Sequence, residues 1–400
     1  MNEKILSILK WAYRNSEYYH NLLMNFSNFD SIKIEEFKNI PILDRNTLLN
    51  EFDSILNSEY RFLKRKELQL VQTSGSTGQI VSVLWHPRDY IQSNLCLWRV
   101  RKKWYNISPN DRQCSFVSGT YIGRTVTSNI DNFIQQSNKR LDLNIICLSD
   151  DNLYKYYQTI YKFQPDWIYT SPSALLVFVE FCIKNNLDKI KSIKYIELAT
   201  EQVMTSTYDY FKKYFDVNIS IMYGAKEVNA IALLNPYDNK MHVLQDNVFV
   251  EQNEQNEILV TSLKNTVFPI IRYKLGDIVQ LSNDRFSEEK YVDIVKGRTR
   301  ELLFVDKQSG ITVSALTNAL LVANARLGNP ILQYKIQKED KIFKLIIYIK
   351  KEFHNWTRTI EAEITNCCIK HHIDLLKVKV VFNHEPFEID CKSGKVSLLN

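Results

Sequence analysis

The chain has 400 residues, 45% of them apolar, which is enough to bury a large core and to form two or three domains. Its 51 basic and 45 acidic residues give a net charge of +6 without a dominant block, which suits an anionic substrate such as a nucleotide. These values exclude a disordered chain and a nucleic-acid-binding footprint.

The seven cysteines are scattered, without a C-x-x-C pair or zinc-finger spacing, which favours reduced thiols in a cytoplasmic protein. The amphipathic pattern at the start of the chain is too interrupted for a signal peptide. We expect no membrane span, since no apolar run reaches roughly eighteen residues. The chain has ten glycines in 400 residues, well below the usual share of about 7%. We therefore expect them at positions where the backbone geometry tolerates no other residue.

The chain is predicted to form helices and connectors up to residue 68, with a helix starting at the PILD turn of residues 41–44. A strand, a polar loop and a second strand follow from residue 67 to residue 85, and then a helix from about Arg88 to Trp104.

Short apolar strands then alternate with helices. We predict strands at residues 115–117, 144–148, 166–170, 192–198 and 218–222, with helices near 150–163, 173–186 and 203–215. This alternation predicts a parallel α/β sheet, in which ligands bind beyond the carboxyl ends of the strands.

The pattern becomes β-rich between residues 241 and 281, with strands at 248–250, 258–260 and 270–273. After a shift near Gly297, strands at 334–336, 344–349 and 377–382 and helices near 314–326 and 357–371 form a small α+β unit. The predicted fold class is therefore α/β. A large N-terminal domain, residues 1–297, holds the parallel sheet and a β-rich subdomain, and a small α+β C-terminal domain spans residues 298–400.

A loop with four hydroxyls and two glycines separates the two strands between residues 67 and 85. Its residues are Thr73, Ser74, Gly75, Ser76, Thr77 and Gly78. Backbone N–H groups and hydroxyls in such a loop can converge on a phosphate or pyrophosphate, although an ordinary polar turn is the alternative. A Walker P-loop is excluded because Gln79 follows the last glycine and the chain continues as a strand.

Four further motifs follow along the chain. Tyr223 and Glu227, in YGAKE after a strand, offer a ring to stack on a purine and a carboxylate for Mg²⁺. Asp277, after a glycine, can accept hydrogen bonds from both hydroxyls of a ribose. The alternatives are an ordinary turn for the first and a hairpin turn for the second. A charged Gly-Arg turn marks the domain boundary, and Lys395 follows a glycine near the end of the chain.

In this order the motifs resemble the adenylate-forming superfamily of acyl-CoA synthetases, nonribosomal adenylation domains and luciferases. Within it, the segments IPILDRNTLL, IELATEQV and EILVTSLKNTVFPIIRYKLGD are most similar to the phenylacetate-CoA ligase branch and its relatives encoded with surface-polysaccharide genes. The resemblance spans roughly residues 39 to 397. It implies a large domain that holds ATP and acid, and a small C-terminal domain that rotates between half-reactions and carries the catalytic lysine.

The resemblance also implies a role for each motif residue. Residues 73–78 would hold the β- and γ-phosphates. Tyr223 would stack on the adenine, Gly224 beside it would belong to the ATP site, and Ala199, Thr200 and Glu201 would line the adenine edge. Glu227 would position Mg²⁺, Asp277 and Arg298 would hold the ribose, and Lys395 would bridge the acid and the α-phosphate. A buried cation would offset the repulsion between carboxylate and triphosphate.

Some positions depart from the family pattern. The glycine loop usually ends in lysine where Gln79 stands, and Lys226 replaces the usual Ser or Thr, so we expect Lys226 or Arg124 to supply the missing positive charge. Arg300 replaces the hinge aspartate, which puts the domain rotation in question. His242 lacks the cysteine that accompanies it in some relatives, so we predict no zinc and a structural role for this histidine.

The acid pocket is predicted from loops that follow strands on the ligand-facing edge. Its candidate residues are Tyr121, Gly123, Arg124 and Ser171, and the rings of Tyr121 and Tyr169 could flank an aromatic acid. Ordinary packing is the alternative for both tyrosines in a chain that has 22 of them.

The sequence therefore predicts an ATP-dependent ligase that activates a small carboxylic acid as an acyl-adenylate, releases pyrophosphate and transfers the acyl group to coenzyme A. ATP, Mg²⁺ and coenzyme A are the expected cofactors, and a homodimer is left open. Acyl transfer to a carrier protein, an amine or a sugar without coenzyme A is one alternative. A non-catalytic adenylate-binding scaffold is the other.

Overall fold

The computed structural model describes residues 2–24, 34–61, 66–72, 81–117, 134–145, 148, 150–283, 289–298, 304–306, 311–328, 330–339, 342–370, 373, 375–385 and 387. The helices are α1 (Asn2–Asn15), α2 (Glu17–Leu23), α3 (Ile34–Phe37), α4 (Arg45–Asn50), α5 (Phe52–Ile55), α6 (Pro87–Tyr105), α7 (Asp150–Phe163), α8 (Pro172–Lys184), α9 (Thr205–Phe215), α10 (Val313–Arg326) and α11 (Thr357–Lys370). Short 3₁₀ helices lie at Ser58–Tyr60, Lys351–Trp356 and Leu375–Lys377.

The strands are β1 (Gln69–Gln72), β2 (Ser82–Trp85), β3 (Gln113–Val117), β4 (Ile134–Gln136), β5 (Arg140–Asn144), β6 (Trp167–Thr170), β7 (Tyr195–Ala199), β8 (Asn218–Ala225), β9 (Asn229–Leu234), β10 (Met241–Val243), β11 (Val248–Gln252), β12 (Glu257–Ser262), β13 (Tyr273–Asn283), β14 (Lys290–Arg298), β15 (Phe304–Asp306), β16 (Ile311–Thr312), β17 (Ile331–Glu339), β18 (Ile342–Ile349) and β19 (Val378–Asn383). The mixed α/β fold class predicted from the sequence is confirmed.

The chain divides into two compact units. The first comprises Met1–Ser108 and Ile221–Thr299, and the second comprises Pro109–Ser220 and Arg300–Asn400. The predicted division between residues 297 and 298 into a large and a small domain remains a prediction.

In the first unit, antiparallel strands follow the order β11-β12-β13-β14-β10-β9-β8, and β1 pairs with β2 as a separate antiparallel hairpin. Their apolar faces and those of α1, α2 and α4 share one core, which includes Trp85, Phe268 and Ile271. The predicted helix after residues 41–44 is α4. It begins there because the carboxylate of Asp44 accepts a hydrogen bond from the backbone N–H of Thr47, which caps the helix.

In the second unit, β7, β6, β3 and β5 run parallel in that order, and β4 adds an antiparallel edge. Helices α7 and α8 cover this sheet with largely apolar faces, and their buried residues join one core with the strands. The predicted parallel α/β sheet is thus present. Strands β17, β18 and β19 form a smaller sheet, which packs with α10 and α11 in a separate core.

Two strand predictions were wrong in position. The strand predicted at residues 144–148 lies at Arg140–Asn144, where it pairs with β3. It escaped the apolar pattern because Asp142 interrupts it, and this carboxylate lies within 2.8 Å of Arg140 Nε. The strand predicted at residues 270–273 instead begins at Tyr273, because Arg272 adopts a positive φ of 50°.

None of the helices among the described residues is both long and apolar enough to cross a membrane.

Candidate active site

Tyr223 and Gly224 lie inside β8, at a β-bulge opposite β9, rather than in the turn that the sequence offered as an alternative. A Cβ atom on Gly224 would come within 2.8 Å of the carbonyl oxygen of Asn229, so only glycine fits this close approach. A bulge re-aims the side chain beside it. The hydroxyl of Tyr223 is thereby able to donate a hydrogen bond of 2.8 Å to Oδ2 of Asp277.

Asp277 lies in β13, directly after Gly276, whose φ of +85° suits glycine. A second bulge separates Asp277 from Ile278, and the backbone of Asp277 pairs with that of Arg298 in β14. The structure therefore brings together Tyr223, Asp277 and the backbone of Arg298. The side chain of Arg298 lies outside the described part of the structure.

Glu227 lies in the tight turn between β8 and β9 and is only 8% exposed. The turn is closed by a hydrogen bond from the backbone N–H of Val228 to the carbonyl of Ala225. Lys226, next to Glu227 in the same turn, is partly exposed. A carboxylate in this position has the donor chemistry that Mg²⁺ prefers, so the residues present fit the metal that the resemblance implies.

A buried polar network fixes the backbone that follows Glu227. The amide Nδ2 of Asn247 donates to the carbonyls of Val228 and Ala230, at 3.0 and 2.7 Å. Its Oδ1 accepts from the hydroxyl of Ser93 on α6 at 2.7 Å. Asn247 is fully buried and Ser93 is 1% exposed. The sequence analysis missed both residues, since a serine in a helix and an asparagine before a strand carry no local signal.

Ala199, Thr200 and Glu201 belong to the second unit. Ala199 ends β7 and is buried, whereas Thr200 is exposed and has a φ of +74°. For a β-branched residue the left-handed backbone conformation costs roughly 1–2 kcal/mol of conformational free energy. Residues strained in this way cluster at functional sites. The strain indicates that the surrounding contacts hold this segment in place.

Glu201 is held by Ser173. The Ser173 hydroxyl donates to Oε1 of Glu201 at 2.6 Å, and the Ser173 backbone N–H donates to Oε2 at 3.2 Å. The predicted acid-pocket residue Ser171 caps α8, because its Oγ accepts from the backbone N–H of Ala174 at 3.3 Å. Ser171 Oγ also lies 3.3 Å from Ser173 Oγ.

The predicted site residues thus form two groups. Tyr223, Gly224, Lys226, Glu227, Asp277 and Arg298 lie in the first unit, and the 199–201 segment with Ser171 lies in the second. The remaining predicted site residues lie outside the described residues, namely Thr73, Ser74, Gly75, Ser76, Thr77, Gly78, Tyr121, Gly123, Arg124 and Lys395. Their roles remain predictions, as do those of Gln79 and Arg300.

Arg272, next to the Tyr-x-x-Gly-Asp motif, anchors the start of β13. Its guanidinium donates to the carbonyls of Lys38 and Ile40, and its Nε lies 3.2 Å from Oε2 of Glu251. Burial raises the pKa of Glu251, while Arg272 opposes the rise. The sequence analysis did not single out this pair, because Glu251 in β11 and Arg272 ahead of β13 share no motif.

His242 is packed among polar and aromatic neighbours. Its Nε2 lies 2.7 Å from Oδ2 of Asp238 and 3.1 Å from Nδ2 of Asn235, and its ring makes edge contacts with Trp104 and Tyr291. Within the described parts of the chain, no three His, Cys, Asp or Glu side chains form a group that could hold a metal ion.

No family model matches the chain. It is 21% identical to Protein CapK of Staphylococcus aureus over 362 residues, which cover 87% of this chain and 77% of the relative. It is 23% identical to the indoleacetate–lysine synthetase of Pseudomonas savastanoi over 265 residues, or 64% of this chain and 63% of that protein.

Solved structures with the same fold include two kinds of ligase. A 2-hydroxyisobutyryl-CoA ligase in the postadenylation state, in complex with R3-HIB-AMP, superposes with a TM-score of 0.74 and 13% identity, covering 100% of this chain and 88% of the other. The GH3.15 acyl acid amido synthetase gives a TM-score of 0.58 and 13% identity, with coverages of 94% and 85%. The chain therefore has the fold of the adenylate-forming ligases and synthetases, which confirms the superfamily resemblance predicted from its motifs.

Proposed function

We propose that this protein is an ATP-dependent, AMP-forming acid ligase. In the proposed reaction a carboxylate oxygen of the substrate attacks the α-phosphorus of ATP. The bond between the α-phosphorus and the bridging oxygen breaks, and pyrophosphate leaves with the electron pair. The acyl-adenylate then passes its acyl group to a nucleophile, and AMP is released.

The observation that carries this proposal is the Tyr223–Asp277 hydrogen bond. It joins an aromatic ring that can stack on an adenine to a carboxylate that can accept hydrogen bonds from a ribose, side by side on bulged strands. Glu227 is the fifth residue of the YGAKE motif that begins at Tyr223, and it supplies a carboxylate for Mg²⁺ on the phosphates. Ligases of the same fold solved with HIB-AMP support the assignment of ATP as the activating cosubstrate.

The other roles follow from the family resemblance. Residues 73–78 hold the β- and γ-phosphates, Lys226 or Arg124 supplies positive charge beside them, and Arg298 joins Asp277 at the ribose. Lys395, from a mobile C-terminal domain, bridges the acid and the α-phosphate, where a cation offsets the charge that builds in the transition state. Coenzyme A is the proposed acceptor, the phenylacetate-CoA ligase branch is the proposed subtype, and the cytoplasm is the proposed location.

Pyrophosphate exchange tests the adenylation step without knowledge of the acceptor. Purified protein is incubated with ATP, Mg²⁺, labelled pyrophosphate and each member of a panel of aromatic, fatty and hydroxy acids. We expect exchange with at least one acid. The variant Lys395→Ala should lose exchange at least a hundredfold, an order of magnitude typical of removing a charge-stabilising group. The matched control Lys379→Ala changes an exposed lysine of the same C-terminal segment and should retain exchange.

Exchange that is equally fast in Lys395→Ala would remove this lysine from the proposed role. A wild-type protein that exchanges with no acid of the panel, yet binds ATP, would favour the non-catalytic scaffold.

A second candidate function changes the acceptor and keeps the adenylation. Both the indoleacetate–lysine synthetase and the GH3.15 amido synthetase are named for products in which an acid is joined to an amine. Incubating the preformed acyl-adenylate complex with coenzyme A, and separately with a panel of amines, distinguishes a thioester product from an amide by mass. An amide formed with no detectable thioester would overturn the coenzyme A proposal.

A further inference from the structure

The carboxyl ends of β6 and β7 lie side by side in the second unit. The two strands are parallel neighbours, with Thr170 opposite Leu198. Ser173 follows β6 by three residues and Glu201 follows β7 by two, so the pairing of the strands brings both residues to the same edge. This edge is where ligands bind in parallel α/β sheets.

The contact between Ser173 and Glu201 is doubly specific. Both carboxylate oxygens of Glu201 are engaged by the same serine, one through the hydroxyl at 2.6 Å and the other through the backbone N–H at 3.2 Å. Ser173 is 3% exposed and occupies the first turn of α8, where the partial positive charge of a helix N-terminus favours an anion. Glu201 is therefore fixed in position by two hydrogen bonds to a buried, rigid element.

Glu201 in turn fixes the residue before it. Thr200 is exposed in the left-handed conformation, with Ala199 buried on one side and Glu201 tied down on the other. Because both neighbours are held, they support the strained backbone conformation of Thr200. The segment 199–201 thus presents a single preorganised surface to the edge of the sheet.

We propose that Ser173 is a positioning residue, which holds the 199–201 segment in the conformation that contacts the adenine of ATP. This inference rests on the proposed adenylation function, in which the segment lines the adenine edge. Ser173 does not touch the nucleotide in this role. It acts through Glu201, so its removal should weaken ATP binding and leave the binding of the acid unchanged.

The chain provides a matched control at the opposite ends of the same strands. The hydroxyl of Ser192, ahead of β7, donates a hydrogen bond of 2.8 Å to the carbonyl of Pro165, ahead of β6. Ser192 and Ser173 therefore each use a serine hydroxyl to link two segments that flank β6 and β7. Only Ser173 does so at the carboxyl ends, where a ligand would bind.

The experiment compares wild type with Ser173→Ala, Ser173→Thr and Ser192→Ala in pyrophosphate exchange, using the acid that the wild type activates fastest. Ser173→Ala should raise KM for ATP roughly tenfold, because a charge-assisted hydrogen bond is lost, while KM for the acid changes less than about twofold. Ser173→Thr keeps the hydroxyl and should return KM for ATP to within about threefold of wild type. Ser192→Ala should leave KM for ATP within about twofold.

Melting temperatures measured on all four proteins separate positioning from general stability. An unchanged KM for ATP in Ser173→Ala would overturn the inference, and so would an equal rise in Ser173→Ala and Ser192→Ala.

A wild type without exchange overturns the adenylation proposal, and ATP titration by calorimetry then decides the positioning role separately. A roughly tenfold weaker affinity of Ser173→Ala, with Ser192→Ala unchanged, supports it. Equal affinity in wild type and Ser173→Ala, or no ATP binding by the wild type, overturns it.

Discussion

The hydroxyl of Tyr223 donates a 2.8 Å hydrogen bond to Oδ2 of Asp277, and each residue lies beside a β-bulge of its own strand. The hydrogen bond uses only the hydroxyl of Tyr223, so the face of its ring does not take part, and it orients the Asp277 carboxylate. In the proposed site, the ring stacks on adenine and the carboxylate binds the ribose. Two residues joined by a hydrogen bond would therefore contact the base and the sugar of one nucleoside.

The first prediction separates the ring from the hydroxyl of Tyr223. Tyr223→Phe keeps the ring and should raise KM for ATP by roughly tenfold or less, because only the hydrogen bond to Asp277 is lost. Tyr223→Ala also removes the stacking surface and should raise it roughly a hundredfold. Pyrophosphate exchange at varied ATP concentration measures both. Equal effects of the two substitutions would contradict stacking by the ring.

Much of the fold is predictable from local patterns. The apolar periodicity of α7, α8 and α9 and the short apolar runs of β3, β6 and β7 were sufficient to predict a parallel α/β unit. The pattern was insufficient where a charge has a tertiary or neighbouring partner. Asp142 interrupts the apolar pattern of β5, so that strand was predicted too late in the chain. The apolar residues before Arg272 were predicted as a strand, but β13 begins only after the positive φ of Arg272.

The candidate site shows the same division. Tyr223, Glu227 and Asp277 were found because their residue types and order along the chain carry chemical meaning. The supporting contacts were not found, namely those of Asn247 with the backbone after Glu227 and of Ser173 with Glu201, because these hydrogen bonds join elements that are distant in sequence. Such contacts depend on strand pairing, which the composition of a single segment does not encode.

The second prediction concerns the buried ion pair between Arg272 and Glu251. Arg272→Met should lower the free energy of unfolding by about 3–5 kcal/mol, because it leaves the Glu251 carboxylate buried without its partner. Glu251→Gln should cost less, since a neutral amide remains. Urea unfolding of both variants and of the double variant measures the coupling. A loss in the double variant that equals or exceeds the sum of the two single losses would contradict the pairing.

The third prediction is a pH dependence at the cap of α4. The hydrogen bond from the backbone N–H of Thr47 lowers the pKa of Asp44, and burial opposes this only in part. A carboxyl group whose pKa is lowered by folding stabilises the protein above its unfolded pKa of 3.8, and this contribution is lost as the pH falls through the lower folded pKa.

Two substitutions at this position measure the effect. Asp44→Ala should cost about 1 kcal/mol of unfolding free energy near pH 7, because the cap is lost. Asp44→Asn retains a capping oxygen, and any advantage of aspartate over asparagine should disappear as the pH falls below 3.8. Urea unfolding of the three proteins between pH 7 and the acid limit of folding tests this. A gap between Asp and Asn that widens on acidification would be the opposite sign.

The fourth prediction concerns how the C-terminal segment is held within the second unit. The hydroxyl of Thr207, in the first turn of α9, donates to the carbonyl of Leu332 at 2.7 Å, and that of Ser206 donates to the carbonyl of Ile331. Both hydroxyl residues are nearly fully buried. Thr207→Val keeps the shape of the side chain and removes the donor. It should cost about 1–3 kcal/mol, because the Leu332 carbonyl loses its partner in a buried site.

Limited proteolysis and urea unfolding detect this loss together. We expect Thr207→Val to increase cleavage within the segment of residues 300–400. The control Thr159→Val also removes a threonine hydroxyl that donates to a carbonyl, that of Lys155, but at a partly exposed position within α7. It should leave both the cleavage rate and the unfolding free energy near those of wild type. The segment of residues 300–400 carries Lys395. If Thr207→Val is cleaved faster and also changes pyrophosphate exchange, the attachment of this segment to α9 contributes to the proposed catalysis. Cleavage equal in Thr207→Val and Thr159→Val would show that the α9 contact does not hold the segment.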